Sequence, residues 1–330
     1  MRIAILTSIA LTAIGSWLDQ GCLAETIRFE GASTGSAIAK IAVEEYRRSK
    51  KGTVTFVTGT IGSGAGLRKL CENALDIANT ERPILQEEMA TCRKASADFV
   101  ELPIAFDSVA VVVNRRNRFV NGLTARELRA MWEEAAQGKI VRWSQVNPGF
   151  PDAPLKLLGQ DRKYEQTTVF TETILGRGKS PRRDYIASVD EHILIQAVAR
   201  DVYTLAYVSY ASYLDNREQL RAVPVFSDAG RATMRSTEER ANGAELSFAR
   251  PLFLYVNAQS LIRPPVREFL EFLVANGAPI AKAVNYEPLP AAAYRLALAR
   301  LRGGAKGSAW DGAVPVGATP ADVQRRLASP

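Results

Sequence analysis

Histidine is all but missing from this chain: His192 is the only one in 330 residues. A lone histidine is more often an ordinary surface or core residue than a ligand or base. Neither a structural zinc site nor a His-based catalytic triad therefore finds support. Cysteine is nearly as scarce, with three residues, Cys22, Cys71 and Cys92. The formal charge is +7, yet Lys and Arg are scattered, and no block of like charge marks a nucleic-acid surface. Beyond the N-terminal segment no apolar run reaches the length that crosses a membrane. A nucleotide-type phosphate loop is missing too. No Lys-Ser/Thr follows the glycines of Gly62-Ser63-Gly64-Ala65-Gly66, and their spacing does not fit GxGxxG.

The N-terminus reads as a removable address. Arg2 is followed by an apolar run from Ile3 to Ile14 and then by Cys22-Leu23-Ala24. The run is too short to span a bilayer, and its small residues suit signal-peptidase cleavage after Ala24. Cys22 raises the alternative of a lipid anchor, but Asp19 stands where a lipobox wants an apolar residue. The expectation is a signal peptide over residues 1–24 and a secreted, soluble mature protein. Its loss removes Arg2 and Asp19, so the charge stays at +7, which suits an anionic ligand or an acidic partner. In an oxidising compartment Cys71 and Cys92 are most simply a disulfide, with two buried free thiols as the alternative. Such a bond closes a loop of about 20 residues, worth roughly 3 kcal/mol in the chain-entropy account.

What the chain does have is one organising stretch from Val54 to Pro83. The β-branched run Thr53 to Thr58 predicts a buried strand. A glycine-rich turn follows, then the helical spacing of Leu67, Leu70 and Leu75. A turn of this kind leaves the first N–H groups of its helix unpaired at the positive end of the helix dipole. That makes a site for an anion, with Ser63 adding a hydroxyl. A plain strand-to-helix turn, with glycine needed only for positive φ, is the other reading. The stretch alone does not choose between them.

The mature chain is long enough for two lobes with separate cores. Strands at Ile27–Phe29, Asp76–Ala78, Phe99–Leu102, Ser108–Asn114 and Leu205–Val208 alternate with helices. The helices are predicted at Ala37–Arg48, Gly66–Asn73, Ala125–Gln137, Gln166–Leu175 and 189–200. This predicts an α/β architecture with mostly parallel sheets. Val109–Asn114 and Leu252–Asn257 look alike, each an apolar run ending in Val-Asn. They are read as the paired crossover strands by which the chain leaves the first lobe and returns. Residues 25–113 and 251–330 then form lobe 1, and 114–250 form lobe 2. The Gly-, Ala- and Pro-rich tail from Gly303 onward is expected to pack loosely.

Several segments together carry a resemblance: Gly31-Ala32-Ser33-Thr34, the Gly62–Gly66 turn, and Asp76-Ile77-Ala78-Asn79-Thr80-Glu81-Arg82-Pro83. Glu101-Leu102-Pro103-Ile104-Ala105-Phe106-Asp107 and Arg250-Pro251-Leu252-Phe253 belong to the same set. On these the chain resembles the phosphate-binding proteins of ABC transporters, most closely their cyanobacterial-type branch, over nearly all of the mature sequence. Cys71 and Cys92 also have counterparts there. The resemblance implies the two-lobed periplasmic-binding-protein fold (type II), closing on a desolvated anion held by hydroxyls, backbone N–H groups and an Arg. It implies no catalysis, no cofactor and no metal. The expected partners are phosphate or a related oxyanion and an inner-membrane ABC permease, and the expected state is a periplasmic monomer.

The implied first-lobe site residues are Ser33, Thr34, Gly35, Ser63, Gly64, Glu81 and Arg82. From the second lobe come Lys163, Tyr164, Glu165, Gln166 and Arg182. The departures bear on the ligand. Lys163-Tyr164-Glu165-Gln166 stands where the family has Ser-Gly-Thr, so two small hydroxyl donors and a glycine are lost. Gly35-Ser36-Ala37 replaces a segment that usually carries an aromatic and a proline. Glu81 replaces the branch's Ser, although other members place Asp there; a carboxylate can accept a proton from hydrogen phosphate and repels sulfate. Inorganic phosphate is therefore expected to bind weakly or not at all, and a larger or protonated oxyanion, a phosphonate or phosphate monoester, to bind better. A divergent sensing or scaffolding module that has lost phosphate binding is the alternative.

Overall fold

A computed structural model describes residues 25–50, 54–162, 165–176, 178–226, 248–310, 312 and 318–328, without the side chains of Glu165 and Gln166. The expected signal peptide with Cys22, Thr53 of the expected strand, and Lys163 and Tyr164 of the expected second-lobe loop lie outside the described residues.

The first half runs β1 (Thr26–Gly31), α1 (Ser33–Ser49), β2 (Thr55–Thr60), α2 (Ser63–Cys71), β3 (Ile77–Thr80), α3 (Gln86–Lys94) and β4 (Phe99–Asn114). Then come β5 (Leu123–Thr124), α4 (Ala125–Trp132), β6 (Lys156–Gln160), α5 (Glu165–Leu175), β7 (Ile186–Ser188), α6 (Glu191–Arg200) and β8 (Thr204–Ser209). The chain continues through α7 (Tyr210–Asp215), β9 (Leu220–Ala222), β10 (Val225–Phe226) and β11 (Ala249–Asn257). It closes with α8 (Pro264–Ala275), α9 (Gly277–Ala283), β12 (Glu287–Pro288), α10 (Ala291–Gly303) and α11 (Pro320–Ala328). One curled sheet holds most strands in the order β2-β1-β3-β11-β4-β8-β6-β7. β1 runs parallel to β2 and β3, and β6 runs parallel to β7 and β8.

β4 is the spine. All sixteen of its residues are buried, the mark of a strand covered on both faces. Its first part, through Ser108, pairs antiparallel with β11, and from Val109 onward it pairs with β8. The hydrophobic core divides at the same place. Ile104, Ala105 and Phe106 pack in one cluster with α1, α8 and α10, while Val109–Val113 pack in a second with Trp132, Trp143 and Phe170. The hydrophobic core therefore divides at Asp107-Ser108, inside β4.

The two Val-Asn runs are not paired with each other. Val109–Asn114 lies against β8 and β9, and β11 lies against β3 and the earlier part of β4. Their likeness comes from turn chemistry. Asn114 Oδ1 accepts the Arg116 N–H at 2.8 Å and Asn257 Oδ1 accepts the Gln259 N–H at 2.8 Å. Each Asn ends its strand with an Asx turn.

Cys71 and Cys92 are disulfide-bonded, tying α2 to α3, a helix the sequence reading had not picked out. The tail is not loose where it is described. Trp310 is buried against Phe253, and α11 sinks Val323 and Leu327 into the first core. Glu101 is the anchor: it accepts Tyr255 Oη at 2.7 Å, Ser308 Oγ at 2.6 Å and the Ala309 N–H at 2.8 Å. Burial pushes its carboxyl up, against the opposing pull of those hydrogen bonds. Among the described residues no helix is long and apolar enough to cross a membrane.

If the tail belongs to the core, Trp310→Ala should lower the unfolding free energy by roughly 3–5 kcal/mol, the usual cost of truncating a buried Trp. An unfolding free energy, measured by denaturant titration, that changes by less than about 1 kcal/mol would show that Trp310 does not tie the tail into the core.

Candidate ligand site

α1 begins at Ser33, four residues before the helix predicted from sequence, and its first turn explains why. Ser, Thr and Gly are poor helix formers unless their polar groups find partners. Here Glu81 supplies them. Its Oε1 accepts Thr34 Oγ1 at 2.5 Å, the Thr34 N–H at 3.3 Å and Ser33 Oγ at 3.4 Å. The carboxylate thus sits at the positive end of a 17-residue helix, the place an anion prefers. Gly35 allows close packing beneath it, since a Cβ there would lie 2.2 Å from Asn79 Oδ1.

The glycine-rich turn does two jobs. Gly62 holds φ at 85° just before α2, and this positive φ is what glycine tolerates. Ser63 is then buried and turned inward, where its Oγ accepts the Glu81 N–H at 3.3 Å. The turn supports the backbone that carries Glu81.

The other oxygen of Glu81 meets a group that sequence reasoning did not assign. Arg250 Nη2 lies 2.8 Å from Glu81 Oε2 and 2.9 Å from Asp107 Oδ2. All three residues are buried. Among them, two carboxylates share one guanidinium. Burial pushes the Asp107 carboxyl up to about 6, with Arg250 opposing and Glu81 and Glu191 adding to the rise. Burial, with Asp107, Glu81 and Glu191 nearby, likewise pushes up the phenol of Tyr286.

The second half presents a matching arrangement. Glu191 opens α6 behind its cap, Asp190. Its Oε1 accepts Gln160 Nε2 at 2.7 Å and the Ser209 N–H at 2.6 Å. Its Oε2 accepts Ser209 Oγ at 2.7 Å, and also Ser212 Oγ. Gln160 ends β6, and its carbonyl is gripped by the hydroxyls of Tyr185 and Tyr207, each at 3.1 Å. Glu191, Ser209 and Ser212 gave no signal in the sequence; an acid in a first helical turn reads as an ordinary dipole partner.

The expected residues separate into two sets. Ser33, Thr34, Gly35, Ser63 and Glu81 come together at the strand ends of the first half. Arg82 reaches out to Glu88 with two 2.8 Å hydrogen bonds, while Glu88 also accepts the Leu85 N–H ahead of α3. Gly64 lies beside that guanidinium. Arg182 differs from its expected role as an anion donor. It is buried in the second half, where it holds Asp184 and the carbonyls of Met131 and Ile140. This pairing lowers Asp184 to about 2. These bonds engage four of its five guanidinium N–H groups. The side chains of Glu165 and Gln166 lie outside the described residues. Among the described residues no group of three or more His, Cys, Asp or Glu is arranged to hold a metal.

Residues 19–276 match the family model of the PBP superfamily domain. The chain belongs to this family. As a PBP superfamily protein it is 34% identical over 324 residues to Protein SphX of Synechococcus elongatus, covering 98% of this chain and 95% of that one. It is 28% identical to the phosphate-binding protein PstS of Staphylococcus saprophyticus, covering 88% and 89%. Its fold is similar to the crystal structure of a possible phosphate binding protein from Planctomyces limnophilus. That match has TM-score 0.65 and 31% identity, and covers 86% of this chain and 99% of that one.

The charge cluster sets a pH dependence. Between the ordinary carboxyl value near 4 and about 6, the folded protein keeps a proton on Asp107 that the unfolded chain releases. Its contribution to stability therefore falls as pH rises through that window, by at most about 1.4 kcal/mol per pH unit, and is level above it. The melting temperature of the wild type minus that of Asp107→Asn should fall as pH rises from about 4.5 to about 6.5. A difference independent of pH would mean that Asp107 titrates as an ordinary carboxyl.

Proposed function

We propose that this protein is a periplasmic solute-binding protein that captures phosphate or a related oxyanion between its lobes and delivers it to an ABC importer in the membrane. The observation that carries the reading is the donor set at the start of α1. Two hydroxyls, a backbone N–H and the Arg250 guanidinium already converge on one carboxylate. Such a set holds a tetrahedral oxyanion by the same hydrogen bonds. The relative from Staphylococcus saprophyticus is named a phosphate-binding protein, which supports the same ligand class. In this reading the protein has no chemical step of its own, works as a monomer, and acts by lobe closure about Asp107-Ser108.

Glu81 gives the reading its particular form. It occupies the donors that a ligand needs, so an incoming oxyanion competes with a resident carboxylate. This occupancy also favours the second reading, a module that senses or scaffolds and has lost phosphate binding.

Calorimetric titration of the mature chain with phosphate, methylphosphonate and a phosphate monoester tests the first reading against the second. If none of them binds, oxyanion capture is wrong. Replacing Glu81 by Ser removes the resident charge but keeps a donor, and should raise phosphate affinity about tenfold or more, the scale of one charge-assisted hydrogen bond. An unchanged affinity would show that Glu81 does not compete.

A further inference from the structure

Several buried side-chain atoms around this site have no hydrogen-bond partner: Asn79 Nδ2 and Oδ1 beneath Gly35, Ser108 Oγ, and two acceptors that lie toward the second half. Asp107 is 1% exposed and its Oδ2 takes Arg250, but its Oδ1 has no hydrogen-bond partner. Gln160 is 5% exposed; its Nε2 is spent on Glu191, and its Oε1 has no partner. Both atoms are acceptors. Buried acceptors without donors are costly, and a native structure keeps them where something else supplies the donor.

The two lie on one seam. Asp107 and Ser108 lead into Val109, which pairs with Ser209. The Ser209 N–H and hydroxyl both hold Glu191, to which the Gln160 amide is bonded. Gln160 and Ser209 are the last residues of the adjacent parallel strands β6 and β8. Ligands of open α/β sheets bind in the crevice beyond such strand ends.

Charge points the same way. Glu81, Asp107 and Glu191 share this region, and Arg250 is the cation paired with the first two. A bare dianion brought here adds repulsion that hydrogen bonds must overcome. A ligand that brings its own cation offsets it. A metal ion is the poorer candidate, because these carboxylates are not grouped as a metal-binding set among the described residues.

We propose that the preferred ligand is a phosphonate or phosphate monoester carrying a protonated amine, whose ammonium group donates to Asp107 Oδ1 and Gln160 Oε1 at the seam between the lobes. The inference rests on the oxyanion-binding reading above. It assigns selectivity for organic over inorganic phosphorus to Asp107 and Gln160, two residues outside the loops from which an oxyanion site was expected.

The test is a titration series on the unmodified mature protein with 2-aminoethylphosphonate, ethylphosphonate and inorganic phosphate. The amine-bearing compound should bind about tenfold or more tighter than either of the others, the worth of one charge-assisted contact. Gln160→Met should bring the ratio between the two phosphonates close to one. Because the wild-type series needs no substitution, misfolding of that variant would not obscure the answer. Ethylphosphonate or phosphate binding as tightly as the amine overturns the inference while leaving oxyanion capture standing. Binding by none of the three overturns both.

Discussion

Arg250 holds the molecule's charge architecture together. One guanidinium is shared by Glu81, just after β3, and Asp107, at the point where β4 passes from one core to the other. Three segments far apart in sequence meet through it. Two buried carboxylates without a cation would repel each other and lose hydration together. Removing one partner from a buried pair typically costs about 3–5 kcal/mol. The start of α1, the middle of β4 and the strand β11 therefore meet in a single ion-pair network, in which one guanidinium serves two carboxylates.

The carboxylates of this protein differ in what surrounds them. Glu101 is fully satisfied by Tyr255, Ser308 and Ala309, and serves to fasten the tail. Asp184 is equally well served by Arg182 and the Gly138 N–H. These are structural anchors. Glu81 and Glu191 gather donors in the manner of a bound anion, one at the strand ends of each half. Asp107 keeps a buried oxygen without a partner between them. Among these carboxylates Asp107 is distinguished by an oxygen that is not hydrogen-bonded.

The charge cluster lies at Asp107-Ser108, where the two hydrophobic cores separate. On the capture reading proposed above, closure of the halves would act directly on this network, and a ligand that offsets its charge would favour the closed arrangement more than one that adds only negative charge.

Much of this was legible in the sequence. The alternation of strands and helices, the Gly62–Gly66 turn and the Cys71–Cys92 pair follow from local patterns of hydrophobicity, turn chemistry and redox compartment. These act over a few residues, or over one loop, and so they are written in neighbouring letters. The grouping of Ser33, Thr34 and Ser63 with Glu81 was implied only by the family resemblance. The tail was misread because its composition suggests mobility, while Trp310, Val323 and Leu327 find a core supplied by distant strands. The twin Val-Asn runs belong to the adjacent strands β4 and β11, as read, but they do not lie side by side; an Asx turn leaves the same trace wherever a strand ends. The partners of Arg182, the role of Arg250, and the company of Glu191 with Gln160, Ser209 and Ser212 were decided by tertiary structure alone. A charged side chain is defined by what it faces once buried, and facing groups come from anywhere in the chain. The sequence by itself determined most of the elements, the glycine turn and the cysteine pair; folding decided which charges meet.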